Sequence, residues 1–160
     1  MAISGDIFQR EASQIISEIK ARLLSTGANA TGKTAASLEE STSDERLIIY
    51  GGKSFGTNER DKRGYVEAGR GPGKLPPFKD IQEWAIARGI VKGSDERAKR
   101  IIDGIRWKIK NEGTGIYIRK KPRDIYFDVI TPDRTELIID QVQGVFAHKV
   151  LSEIVQQLKN

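Results

Sequence analysis

Gly27-Ala28-Asn29-Ala30-Thr31-Gly32-Lys33-Thr34 matches the phosphate-binding pattern G-x-x-x-x-G-K-[ST] letter for letter. In such a loop, backbone amides and the start of a following helix converge on phosphate, and the lysine ammonium reaches the outer oxygens. That chemistry needs a buried strand before the loop and a helix after it. Here an amphipathic helix precedes it and a hairpin is expected to follow. No apolar strand ending in aspartate stands downstream to hold magnesium, because Leu47 to Tyr50 runs into Gly51. The match is therefore read as coincidental. Carboxylates for acid–base work or metal binding exist at Glu39, Glu40, Asp44, Glu45, Asp124 and Asp128, but none lies in a ligand spacing. Asp124 and Asp128 share one side of an expected exposed strand. The lone histidine, His148, falls on a helix between Ala147 and Lys149, and the chain has no cysteine, which removes disulfides, thiolate nucleophiles and nearly every structural zinc site. No catalytic residue, cofactor-binding residue or metal ligand is assigned, and the chain is not expected to be an enzyme.

The stretch from Tyr65 to Trp84 says more. Gly69, Gly71 and Gly73 alternate with Arg70 and Pro72, then Pro76-Pro77 opens a helix, so the segment reads as strand, fixed loop, helix. A fixed loop carrying Arg70 and Lys74, with no nucleophile, suits a partner surface or an anion. Between Arg88 and Arg123 stand twelve cations against four carboxylates, a surplus of eight that exceeds the whole chain's +5. A region of that sign favours an acidic protein face or a phosphate backbone; a solvated helix face beside a basic loop is the plainer alternative. Trp84 fits its helix's apolar stripe and is expected in the core, whereas Trp107 falls off the stripe of Ile101, Ile105 and Ile109 and is the better contact candidate. The candidate partner or oligomer contacts are Tyr65, Glu67, Arg70, Lys74, Trp107, Arg119, Lys120, Lys121 and Arg123.

The elements that must carry these residues follow from periodicity. Ile7, Phe8, Ala12, Ile15, Ile16, Ile19, Leu23 and Leu24 recur at helical steps, predicting a helix from about Ser4 to Ser25 with Gly27 at its left-handed end. Leu38–Thr42 and Arg46–Tyr50 flank Ser43-Asp44-Glu45 and predict a β-hairpin. The polar connection 51–64 is expected to be a mobile surface loop. Phe78, Ile81, Trp84 and Ala85 mark a short helix ending by Gly89, and Ser94 caps a second whose apolar face is Ala98, Ile101, Ile102, Ile105 and Ile109. Ile116–Ile118 and Ile125–Ile130 read as two strands joined by the basic connection 119–123. Thr131-Pro132-Asp133 starts a closing helix that runs to the end, with a bend at Gly144. The expected fold is α+β: a small, mostly antiparallel sheet packed with long N- and C-terminal amphipathic helices and two shorter central helices.

At 160 residues one domain spanning 1–160 is expected, since no composition shift divides the chain. No apolar run approaches the roughly 20 residues that span a bilayer, so no membrane partner is expected. Met1-Ala-Ile-Ser-Gly-Asp shows neither a charged leader nor an apolar core, so no secretory signal is expected.

Three pieces of the chain, in order, resemble the tail-component and tail-completion (neck, head–tail joining) proteins of tailed double-stranded DNA bacteriophages. Thr31-Gly32-Lys33-Thr34-Ala35-Ala36-Ser37-Leu38 is similar to that family's Thr-Gly-basic stretch leading to Ser and an apolar residue. Tyr65 to Pro77 resembles its central Gly/Pro tract, and Ile109-Lys110-Asn111-Glu112-Gly113-Thr114 the end of its second helix. The resemblance implies a structural virion protein that forms or completes the neck or tail ring joining head and tail. It implies a ring homo-oligomer assembled in the host cytoplasm, touching connector, portal-side and tail proteins and allowing contact with passing DNA. It brings no catalytic residue and no cofactor. The alternative from the residues themselves is a nucleic-acid-binding or processing protein that uses the basic 88–123 segment.

Overall fold

The computed structural model describes residues 3–56 and 63–158. They form an α+β fold of long terminal helices and a two-stranded antiparallel sheet, in two compact units. One unit comprises the chain to Ala21, Leu38–Tyr50, and Tyr126 onward; the other comprises Arg22–Ser37 and Gly51–Ile125.

The first unit is organised by helix α1 (Ile3–Ser25), whose stripe buries Ile7, Ala12, Ile15, Ile16 and Ile19 as the heptad-like spacing requires. Strands β1 (Glu39–Thr42) and β2 (Leu47–Tyr50) pair with Glu39 opposite Tyr50 and Thr42 opposite Leu47. The turn closes where the Ser43 amide donates to the Arg46 carbonyl at 2.8 Å. Alternate residues of β1 reach α1: Glu40 accepts from Ser13 Oγ at 3.3 Å, and the Thr42 hydroxyl donates to Gln9 Oε1 at 2.7 Å. The closing helix, called α7 here (Pro132–Leu158), starts at Thr131, whose hydroxyl accepts the Arg134 amide at 3.2 Å. It is helical through Gly144. Arg134 ties it to α1, with Nη1 2.8 Å from Glu18 and Nη2 3.7 Å from Glu11, two carboxylates two turns apart on one face.

The second unit begins at the end of α1. Gly27, at φ +64°, lets the Ala28 amide reach the Leu23 carbonyl (2.9 Å) and its own amide reach Leu24 (3.0 Å), which satisfies the last carbonyls of the helix. One turn, α2 (Lys33–Ala36), follows. A short 3-10 turn, Lys53–Phe55, follows β2, and the Gly52 amide is held by Ser37 Oγ at 3.0 Å. The rest of the expected mobile loop, 57–62, lies outside the described residues. The core of the unit is the pair α4 (Phe78–Ala87) and α5 (Glu96–Glu112), where Ala85, Val91, Ala98 and Ile102 are buried and Phe78, Ile81, Trp84 and Ile101 pack against them. Trp84 is thus partly buried against the core, on the side its stripe position indicates.

Four local expectations are corrected. Tyr65 to Ala68 forms a helical turn, α3, and not a strand: the Ala68 amide donates to the Gly64 carbonyl and the Gly69 amide to the Tyr65 carbonyl, both at 3.0 Å, with Val66, Glu67 and Ala68 buried. Ile116–Ile118 lies in another short helix, α6 (Gly115–Arg119). Its Thr114 carbonyl, pinned by partners of Thr114 far away in sequence, accepts the Ile118 amide at 3.0 Å. Ile125–Ile130 is a turn in which the Val129 and Ile130 amides both donate to the Tyr126 carbonyl (3.0 and 2.8 Å), so Ile125 and Val129 are buried at helical spacing. β-Branched residues prefer strands locally, but packing overrides that preference in short runs. Finally, α5 is capped by Asp95, whose carboxylate accepts the Ala98 amide at 2.7 Å, and not by Ser94. An aspartate in that place supplies both an acceptor and a charge suited to the helix dipole.

Candidate functional site

The loop Gly69–Pro76 is held rigidly against the end of α5 and the start of α6. The Arg70 amide donates to Thr114 Oγ1 at 2.9 Å, and the Thr114 amide returns a bond to the Arg70 carbonyl at 2.8 Å. The Gly73 amide donates to the Lys110 carbonyl at 2.8 Å, and Arg106 Nε donates to the Pro76 carbonyl at 2.9 Å. Arg106 also lies 5.5 Å over the Phe78 ring, so the same side chain anchors loop and helix. Two glycines make this approach possible. At Gly69 (φ +74°, ψ 178°) a Cβ would sit 2.4 Å from Thr114 Oγ1, and at Gly113 (φ +88°) it would sit 2.7 Å from the Arg70 carbonyl oxygen. Both backbone conformations belong to glycine almost alone.

Several expected contact residues meet on this frame. Lys74 is exposed, while Arg70, half-buried as a residue, donates through its guanidinium to the Lys74 carbonyl, so Arg70 fixes the loop as well as charging it. Trp107 is 51% exposed on α5, with the Lys110 ammonium 4.3 Å from its ring centre. Lys110 thereby joins the tryptophan to the Gly73 attachment. Tyr65 is also largely exposed. Glu67 is fully buried and presents nothing to a partner, which corrects its place among the surface candidates. The loop's neighbour is the basic connection: the Arg123 amide donates to the Glu67 carbonyl at 3.1 Å, and Arg119, Lys120 and Lys121 are exposed. Lys120, at φ 53°, ends α6 in a left-handed conformation.

Charge is concentrated around the end of α1. Arg22 Nη1 donates to the Asp124 carbonyl at 3.1 Å, Arg63 pairs with the Asp124 carboxylate, and Arg88 donates to the Gly27 carbonyl. Burial, followed by the neighbouring guanidiniums of Arg88 and Arg119, pushes Arg123 below the usual arginine range. Asp124, at φ 44°, lies outside any strand, so it shares no strand face with the exposed Asp128, which corrects the expected exposed strand there.

The phosphate-loop pattern has another use. Lys33 lies in a four-residue helix preceded by α1, and its ammonium pairs with Glu83 of α4. That bond raises the Lys33 pKa and lowers that of Glu83. Among the described residues, no group of three or more acidic or histidine side chains is placed to hold a metal ion, and no helix is long and apolar enough to cross a membrane.

One surface was not foreseen from sequence. Every residue from Phe146 to Gln157 of α7 is exposed, including Phe146 at 58% and Leu151 at 62%. The earlier turns direct Ile138, Val142 and Val145 toward partial burial. At about 100° per residue, Phe146, Val150 and Ile154 are rotated roughly 80–160° from that direction, so the apolar stripe winds away from the covered side. The four-residue step of this row is the sequence signal that could have revealed it. No family model, no curated protein and no solved structure matches this chain.

Proposed function

We propose that this chain is a non-enzymatic structural protein of a tailed bacteriophage virion, forming or completing the neck or tail ring that joins head and tail. The observation that carries the proposal is the glycine-rich tract Tyr65–Pro77, whose resemblance to tail-completion proteins coincides with a loop strapped to Thr114 and Lys110. A rigid loop spends little conformational entropy on docking, so its contacts are available for binding. The loop, Trp107 and the basic connection supply a polar and aromatic surface. The exposed stripe of α7 supplies an apolar one of the kind that marks protein contacts, and a second copy of the chain is its occupant in this proposal. Two different faces are what a ring needs, since head-to-tail contacts close by rotation. Repetition around the ring strengthens each contact through effective concentration.

The test is to locate the chain in purified particles. Gold-labelled antibody at the head–tail junction, together with separate heads and tails when the chain is withheld, is the expected result. Particles that assemble an intact neck without the chain would overturn the proposal.

A further inference from the structure

The two-stranded sheet leaves one edge of β1 without a neighbouring strand. Within the hairpin, the Ser43 amide bonds to the Arg46 carbonyl, so Ser43 and Arg46 are a hydrogen-bonded pair, and the unbroken register makes Ser41–Ile48 and Glu39–Tyr50 the next ones. The amides and carbonyls of Glu40 and Thr42 therefore point away from β2. Among the described residues no hydrogen bond reaches them from that side. Beside this edge lies an open groove of about 660 Å3, lined by Ile16, Ser17 and Lys20 of α1 and by Leu38, Glu39 and Glu40. It meets residues from both faces of β1 and none of β2, so it opens along the unpaired edge. Ile16 and Leu38, both buried, are its apolar part.

We propose that this edge and groove bind an extended segment of another protein, which adds to β1 as a third, antiparallel strand with apolar and basic side chains in alternation. A row of outward amides and carbonyls is matched by the backbone of a second strand. Residues paired with Glu40 and Thr42 would share their side of the sheet, which faces α1, so apolar side chains there reach Ile16 and Leu38. The alternate residues stand on the other face, with the exposed Glu39. Charge selects the occupant: Glu39 and Glu40, with Asp44 and Glu45 at the turn, outnumber the nearby cations Arg46 and Lys20. Gln9 is bonded at Thr42 and Ser13 at Glu40, so α1 runs antiparallel to β1 and Lys20 lies at the Leu38 end, away from the turn. A second copy of β1 would bring the same carboxylates into one sheet with these, which is unfavourable. Acidic side chains guard an edge against its own copies, and the apolar groove gives a foreign strand something to bury. The edge is available whether or not the chain belongs to a virion.

The experiment is an NMR titration of the isotope-labelled full chain with a capped synthetic peptide of alternating lysine and valine, taken to millimolar concentration. The Glu40 and Thr42 amides should shift and gain protection from exchange as the peptide saturates. The same peptide N-methylated at its valines keeps its charge but cannot form the ladder, and should bind at least about tenfold more weakly. A glutamate–valine peptide should also bind at least about tenfold more weakly. Glu39→Lys with Glu45→Lys, at two exposed positions, should weaken the lysine–valine peptide by about fivefold or more and favour the glutamate–valine one. The peptide series uses the unaltered protein, so the test stands if that variant fails to fold. No shift at Glu40 and Thr42, equal binding of the N-methylated or the acidic peptide, or protection of these two amides that rises with protein concentration alone would each overturn the proposal.

Discussion

Gly69→Ala is expected to destabilise the second unit by about 2–7 kcal/mol. The added methyl would lie 2.4 Å from Thr114 Oγ1, 2.9 Å from the Tyr117 amide nitrogen and 3.1 Å from Ile116 Cβ. Holding a non-glycine residue at φ +74°, ψ 178° costs about 1–3 kcal/mol. Overpacking adds about 1–3 kcal/mol. Displacing Thr114 from the Arg70 amide adds about 1 kcal/mol. The loss of glycine's freedom in the unfolded chain returns about 0.4–1 kcal/mol. Gly104→Ala is the internal comparison: it lies within α5 with nothing within 4 Å of the added methyl, and should stabilise by about 0.8–1 kcal/mol. The assay is equilibrium urea unfolding followed by tryptophan fluorescence, because both tryptophans, Trp84 and Trp107, lie in this unit. A Gly69→Ala loss below about 1 kcal/mol would show that the loop is not clamped as described.

Ile102→Ala, at a fully buried position between α4 and α5, should cost about 2–5 kcal/mol in the same unfolding assay. Thr114→Val keeps the shape but leaves the Arg70 amide without its hydroxyl acceptor, and should cost about 1–3 kcal/mol with a rise in amide exchange at Arg70. Phe146→Asp with Ile154→Asp alters exposed positions of α7, so the melting temperature of the dilute protein should change little. Self-association seen by sedimentation at rising concentration should be lost.

Much of the backbone was legible in the sequence. The apolar steps of α1, α4, α5 and α7, the Gly27 cap, the Pro76-Pro77 start and the Thr131 cap are local signals, and the structure follows them to within a residue or two. The hairpin around Ser43–Arg46 was legible for the same reason. The misread segments are Tyr65–Ala68, Ile116–Ile118 and Ile125–Ile130. Each is a short run rich in β-branched or aromatic residues, too brief for its period to separate strand from turn. The candidate site divides along the same line: Trp107 and Lys74 are exposed as expected, but Glu67 is buried, and Arg22 and Arg63 lie near Arg123 only because the chain returns there.

The order of helices and the sites of capping are properties of neighbouring residues, and the amino-acid sequence determined them alone. The tertiary structure decided which glycines face a hydroxyl or a carbonyl, which arginines share one aspartate, and which half of α7 stays uncovered. These depend on pairs of residues distant along the chain. Periodicity states that a helix has an apolar face, but only folding places something against that face or leaves it bare.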